Sequence, residues 1–377
     1  MRIGIDLTYI TDGIASGTGN YAQDIVRGLA EIGKAKDFLI LVREDFYQEA
    51  KTLFPQFEII AVEHSKLVET MIRHTRCAEI LQKYYIHYLG VRRAAKKQNL
   101  DLLLHTFNER RIRFDKSIPS IVVIHDMQFK HFPKQLRLIV YFEARRAYKY
   151  FVKKADAIIT TSEFTRNELV SYYKLADTSK IHVIPNAVKI NETTLDKSAG
   201  SPYPRPYILC VNNHRYHKNG ITLLRAFHLI SHKIDHNLIL LGKKEFEAPK
   251  LIQYIQDHNL STRVRLIDSL SESARDDLYR NADLFVSPSL HEGFGRTPIE
   301  ASMCKIPVIT SRETSLPEVT MELVYYYEPA LDAEALAHTM IRILENPPSE
   351  EELDRVKNIY EQEYNAERIA QAFYDLC

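Results

Sequence analysis

Two glutamates eight positions apart, Glu292 and Glu300, bracket the stretch Gly293-Phe294-Gly295-Arg296-Thr297-Pro298-Ile299. A short apolar run precedes it and an apolar helical pattern follows. Gly293 and Gly295 let the backbone come close to a ligand, Thr297 offers a hydroxyl, and Pro298 suits the first turn of a helix. Glu300 then falls inside that helix, where its carboxylate could accept paired hydroxyls such as those of a ribose. Glu292 precedes the turn. The backbone N–H groups from Phe294 to Thr297 stand at a helix start, where phosphate oxygens are good acceptors. A Gly-rich turn with two carboxylates placed by chance is the plain alternative.

Three further clusters could carry chemistry. Asn212-Asn213-His214-Arg215-Tyr216-His217-Lys218-Asn219 sets cations before a helical pattern, an arrangement that suits a diphosphate. Ile121-Val122-Val123-Ile124-His125-Asp126 ends a buried strand pattern on a histidine able to donate or accept near neutral pH. Gly13-Ile14-Ala15-Ser16-Gly17-Thr18-Gly19-Asn20-Tyr21 supplies glycines before a helix, but it is neither G-x-G-x-x-G nor a Walker A loop. Taken singly, each could be an exposed loop, a structural histidine or an ordinary turn.

These clusters need elements to hold them. Short, nearly all-apolar runs at 2–7, 38–42, 102–104, 121–124, 157–160 and 181–184 read as strands of a parallel sheet covered on both faces. A second set follows at 207–211, 238–241, 264–267, 284–286 and 308–310. Helical spacing lies between, as in Tyr21, Ile25, Leu29 and Ile32, and in Ile221, Leu224, Phe227 and Ile230. Alternation through both halves predicts two Rossmann-like α/β domains, at 1–190 and 207–361. Pro202, Pro204 and Pro206 mark 191–206 as a linker. The amphipathic stretch 362–377 is expected to form a terminal helix. Ligands bind beyond the carboxyl ends of strands in such sheets. The clusters follow strands, so two facing domains would present them to a cleft.

Composition narrows the class. The chain has 377 residues, 45% apolar and 26% charged, which argues against disorder as the dominant state. No run approaches the roughly 20 apolar residues of a spanning helix. Arg2 and Asp6 break any signal-peptide core. Cys77, Cys210, Cys304 and Cys377 have no paired spacing, so neither zinc nor a disulfide framework is suggested and a cytoplasmic location fits. Residues 66–154 hold 20 basic and 7 acidic side chains, mixed with rings as in Tyr84-Tyr85-Ile86-His87-Tyr88. A solvated face is the plain reading. An anionic membrane surface is the functional one, each cation contributing about 1 kcal/mol. No nucleic-acid motif accompanies the segment.

Together these residues resemble the retaining glycosyltransferases of family 4, which have the GT-B fold of two facing Rossmann-like domains. Glu292 and Glu300 look like that family's E-x7-E motif. Gly17-Thr18-Gly19-Asn20-Tyr21 is similar to its glycine loop, and Val123-Ile124-His125-Asp126 to its histidine strand. Thr161-Ser162-Glu163-Phe164, Val183-Ile184-Pro185-Asn186-Ala187-Val188 and Ser315-Leu316-Pro317-Glu318-Val319 also keep the family's order. His217-Lys218-Asn219 sits where Arg-Lys-Asn is usual, so one fixed charge is lost or becomes pH-dependent. Lys305 replaces a common glycine.

The resemblance implies transfer of a hexose from a nucleotide-diphosphate sugar to a glycan or lipid-linked hydroxyl. Lys218 would pair with the donor diphosphate, helped by Arg215 or His217, and Gly17 and Gly19 would let their loop approach it. Phe294, Gly295 and Thr297 would cradle the distal phosphate. Glu300 would bind the ribose, while Glu292 and His125 would act at the sugar. No metal or other cofactor is expected, because the protein itself supplies positive charge. The terminal helix 362–377 would pack back on the first domain. The basic segment would attach the protein reversibly to a cytoplasmic membrane face. A GT-B epimerase or hydrolase and a non-catalytic nucleotide-sugar-binding partner are the alternatives.

Overall fold

The structure is a computed structural model. It describes residues 1–10, 17–62, 89–107, 112–190 and 203–377, with the backbone alone for Gly17, Thr18 and Glu272. Gly13 to Ser16, most of the linker and the ring-rich part of the basic segment therefore lie outside the described residues. Two compact units divide the chain: Met1–Ala187 with Ala366–Cys377, and Val188–Asn365.

Unit 1 holds a seven-stranded sheet in the order β3-β2-β1-β4-β5-β6-β7. Its strands are β1 (Ile3–Asp6), β2 (Phe38–Arg43), β3 (Glu58–Val62), β4 (Leu102–His105), β5 (Ser120–Ile124), β6 (Ala157–Thr160) and β7 (Ile181–Val183). Unit 2 holds six in the order β10-β9-β8-β11-β12-β13. They are β8 (Tyr207–Val211), β9 (Asn237–Leu241), β10 (Val264–Ile267), β11 (Leu284–Ser287), β12 (Val308–Ser311) and β13 (Tyr325–Tyr327). Every pairing is parallel.

Parallel strands need crossovers, and helices on both faces bury them. Successive residues of β8 feed opposite cores: Ile208 and Cys210 join Phe227 and Leu240, while Tyr207 and Leu209 join Phe285 and Ala301. The strand runs read from sequence are all present. The edge strands β3 and β13 were missed. Edge position does not account for this, since the edge strands β7 and β10 were read: β13 is only three residues, all tyrosine, and in β3 the apolar run Ile59-Ile60-Ala61-Val62 was passed over.

The helices follow the expected spacing. Tyr21, Ile25 and Leu29 are buried along Gly17–Glu31. The terminal helix runs over Ala366–Leu376 and packs in unit 1, with Phe373 meeting Tyr21 at 6.0 Å between ring centroids. Gly28 permits this approach, since a Cβ there would lie 2.5 Å from the Ala366 carbonyl oxygen. The division between units falls at 187/188 and 365/366, rather than at 190 and 361. Val188 donates its N–H to the Tyr364 carbonyl (3.0 Å), which ties the first residue of unit 2 to its end. Among the described residues, no helix is long and apolar enough to cross a membrane.

Candidate functional site

Strand order reverses between β8 and β11 in unit 2, and the two loops that leave their carboxyl ends are laced together. Asn219 takes a left-handed conformation (φ 54°). Its side-chain amide donates to the carbonyls of Pro288 (3.0 Å) and Ala330 (2.9 Å), and Thr222 donates back to its Oδ1. The Leu290 N–H donates to the His217 carbonyl at 2.7 Å. At Gly242 a Cβ would stand 2.0 Å from the Asn212 carbonyl oxygen, so only glycine lets the β9 loop approach so closely.

This lacing brings Lys218 to Glu292. Nζ lies 2.6 Å from Oε1, with side chains 18% and 14% exposed. The Glu292 loop is held from behind. Its N–H donates to Thr314 Oγ1 (3.0 Å), and Ser315 Oγ donates to the carbonyls of Glu292 and Phe294. Gly295 (φ 87°) then opens the helix Arg296–Met303, and a Cβ there would also crowd Leu316 at 2.7 Å. Phe294 is buried edge-on against Tyr364. It anchors the turn, so any phosphate contact at this position is through the backbone. Thr297 is half-buried in the first turn.

Glu300 is buried, and each of its oxygens accepts one hydrogen bond. Arg296 Nε donates to Oε1 at 2.6 Å and the Tyr279 hydroxyl to Oε2 at 3.0 Å. Burial pushes its carboxyl up, but Arg296, Arg275 and the two hydrogen bonds outweigh burial and hold it below the usual carboxylate range. A carboxylate has about four lone-pair positions, so two bound donors leave capacity for a diol. Arg296, Arg275 and Tyr279 were not singled out from sequence. Only Arg296 carried a signal, its spacing of four from Glu300 on one helix.

The cations beside Lys218 differ from expectation. Arg215 is exposed and pairs with Glu245 at 3.1 Å. His217 is buried, and burial with the nearby Lys218 and Arg215 charges pushes its pKa down to about 2. The pH-dependent charge considered for His217 is therefore absent: the ring is neutral at ordinary pH. A histidine depressed in the folded state contributes fully to stability above about 6.5 and loses that contribution as pH falls toward its folded value. At pH 5 the loss is about 2 kcal/mol, from about 1.4 kcal/mol per pH unit. Urea unfolding at pH 7 and pH 5 is expected to show a smaller acid penalty in His217→Gln than in the parent. Equal penalties would exclude the assignment.

In unit 1, His125 ends β5. Its Nε2 lies 2.9 Å from the Thr106 carbonyl, which can only accept, so Nε2 carries the proton and Nδ1 is the acceptor. Burial pushes its pKa down, against the Thr106 carbonyl and Asp126. Tyr21 packs edge-on at 4.7 Å. Any substrate contact by this ring is thus through a neutral Nδ1. Beside it, the buried pair Asp6–His105 (2.8 Å) fixes the ends of β1 and β4, and sequence reading had missed it. Gly19 is buried in the first turn of Gly17–Glu31, and Gly17 is the first residue of that helix.

Two doubly wound parallel-sheet units, the second with a glycine-opened helix start, a cation–carboxylate pair and a braced second carboxylate beyond its strand ends, define the class of α/β protein. Residues 15–192 match the family "Glycosyltransferase Family 4" and residues 191–362 match "Glycosyl transferases group 1". The chain is a glycosyltransferase of the GT-B fold. It is 26% identical to O-antigen chain mannosyltransferase RfbU of Salmonella typhimurium, over 88% of this chain and 89% of that one. It is 22% identical to O-antigen chain mannosyltransferase B of Escherichia coli, over 88% of this chain and 87% of the relative. The crystal structure of Anabaena Alr3699/HepE in complex with UDP and glucose has the same fold, with TM-score 0.74 and 16% identity over 100% of this chain and 98% of that one.

Proposed function

We propose that this chain is a retaining hexosyltransferase that acts in surface-glycan or lipid-linked saccharide synthesis. The names of the two full-length relatives direct the reading to mannose and to a polysaccharide acceptor. The observation that carries it is the Lys218–Glu292 pair, set beside a glycine-opened helix start whose Glu300 is kept ionised. Lys218 and the first N–H groups of that helix would stabilise the leaving diphosphate as negative charge gathers on it. The C1–O bond to phosphate breaks and a C1–O bond to the acceptor hydroxyl forms on the same face. The acceptor's proton passes to a phosphate oxygen. Glu292 would bind a hydroxyl of the transferred sugar.

UDP-, GDP- and ADP-linked mannose and glucose, screened by thermal shift, are expected to yield one stabilising donor. At 100 times its dissociation constant it adds about 2.7 kcal/mol. That donor, with a lipid-linked or glycan acceptor, should give a product of unchanged anomeric configuration at the same rate in EDTA. An inverted product would overturn the retaining assignment. A loss in EDTA restored by Mg²⁺ would overturn the metal-free one. Hydrolysis or isomer exchange without acceptor would favour the hydrolase or epimerase.

The membrane reading gains a described surface. Leu138, Ile139 and Phe142 are 76%, 67% and 53% exposed at the start of the helix Leu138–Lys154, which also carries Arg145, Arg146, Lys149, Lys153 and Lys154. Apolar side chains among cations suit an anionic bilayer surface on the cytoplasmic side. The protein should sediment with anionic vesicles in low salt, be released by high salt, and ignore neutral vesicles. The change of all three apolar residues to serine should weaken that binding several-fold. Failure to bind either vesicle would leave a soluble acceptor as the reading.

A further inference from the structure

Unit 2 holds a cavity of about 200 Å³ that neither Lys218 nor Glu292 lines. It opens where the helix Gly220–Ile230 begins, against the helix Ala248–Asp257. That helix start is uncapped. Asn219 stands at the capping position, but its amide donates to Pro288 and Ala330 and its Oδ1 accepts from the Thr222 hydroxyl. Among the described residues, the N–H groups of Gly220 and Ile221 have no acceptor. Gly220 keeps the approach to them open, since a Cβ there would stand 3.3 Å from Leu251 Cδ1.

Two side chains point to a ligand independently of the helix. His214 lines the cavity, is 3% exposed and has no partner on either ring nitrogen among the described residues. Burial pushes its pKa down, so the ring is neutral, with one nitrogen a donor and the other an acceptor. A buried ring left unpaired on both sides is costly. Arg225 lines the same cavity, is exposed and has no carboxylate partner among the described residues. Arg215 and Lys250 also line it, but Glu245 matches the first at 3.1 Å and Glu247 the second at 3.4 Å. Arg225 is therefore the charge in excess. Open N–H groups at a helix start and an unmatched guanidinium suit an oxyanion. The imidazole asks for an acceptor and a donor together, which an anion that also carries a hydroxyl supplies.

We infer that this cavity is a second ligand site of unit 2, for a compact hydroxyl-bearing phosphate, either inorganic phosphate or the phosphate ester of a sugar. Arg225 and the N–H groups of Gly220 and Ile221 hold the phosphate oxygens, and His214 meets an oxygen and the hydroxyl. The site does not depend on the donor reading above.

Amide NMR and calorimetry of the full chain test this, with inorganic phosphate, glucose 1-phosphate and mannose 1-phosphate as probes. The Gly220 and Ile221 N–H resonances should shift saturably with at least one of the three, and glucose or mannose alone should leave them in place. Tighter binding of an ester than of the free ion would identify the ester as the ligand, and the reverse order the ion. Arg225→Met should weaken binding by about tenfold, the range of a charge-assisted bond, and His214→Leu by about threefold or more. Arg225 is exposed, so its loss tests the site even if His214→Leu fails to fold. Lys218→Met should leave binding at Gly220 and Ile221 within about twofold. Binding lost in Lys218→Met and kept in Arg225→Met would move the anion to the Lys218–Glu292 pair and overturn the inference. Gly220 and Ile221 resonances that none of the three anions moves would overturn it too.

Discussion

Lys218→Met is expected to lower nucleoside-diphosphate affinity by roughly 100-fold, and Glu292→Gln in the same background to restore part of that loss. The reason lies in the 2.6 Å contact between Lys218 Nζ and Glu292 Oε1. Without the ammonium, the Glu292 carboxylate is left partly buried and unpaired, and it repels the incoming diphosphate. Removal of that charge relieves the repulsion. In the parent background Glu292→Gln should leave nucleotide affinity nearly intact, since Lys218 is then free to meet phosphate. Turnover should still fall by about 100-fold, because the contact assigned to Glu292 is with the reacting sugar. A double-mutant cycle read by calorimetry and by turnover separates the two effects. Additive losses in affinity would show that the two groups do not share the diphosphate, and unchanged turnover in Glu292→Gln would return it to a purely structural role.

Glu300→Gln should abolish the preference for ribonucleotides over their 2′-deoxy forms and lower ribonucleotide affinity by about 10- to 100-fold. Arg296 and Tyr279 both donate to this carboxylate, and they hold it in one orientation. The amide can accept through one atom only, so one of those two donors loses its partner. A neutral acceptor is also weaker toward two hydroxyls than an ionised one. Because Glu300 is held below the usual carboxylate range, its share of stability is present above about pH 4.5 and lost as pH falls through its folded value. Protonation of Glu300 should therefore add nothing to any change in ribonucleotide affinity between pH 8 and 5. Competition between UDP, GDP or ADP and the 2′-deoxy counterpart measures the preference directly. A variant that still discriminates would move ribose recognition elsewhere in unit 2.

Much of this was legible in one dimension. Strands covered on both faces announce themselves as apolar runs, which is why β1, β5, β8 and β11 could be located from sequence. Local spacing likewise placed Glu300 inside a helix and Glu292 before it, and marked Gly295 as a turn residue. The edge strands β7 and β10 were legible too, so an edge is not itself hidden; β13 escaped as a run of only three tyrosines, and the apolar run of β3 was passed over.

Tertiary structure alone decided who meets whom. Lys218 and Glu292 are 74 residues apart and touch because β8 lies beside β11, with β9 and β10 displaced to the far side. Tyr279 reaches Glu300, and Asp6 reaches His105, through the same kind of adjacency. Hydrophobic periodicity reports which face of an element is buried, and it carries no information about which crossover brings two elements together. Charge is decided at the same level: His217 reads as a cation in the sequence and is neutral in the fold, because burial next to Lys218 and Arg215 makes its protonated form too costly. Lys305 shows the converse. Its backbone sits at φ 57°, where glycine is at ease, and its side chain closes an ion pair of 2.5 Å with Asp354, so a position that local rules assign to glycine holds a lysine with a partner 49 residues away.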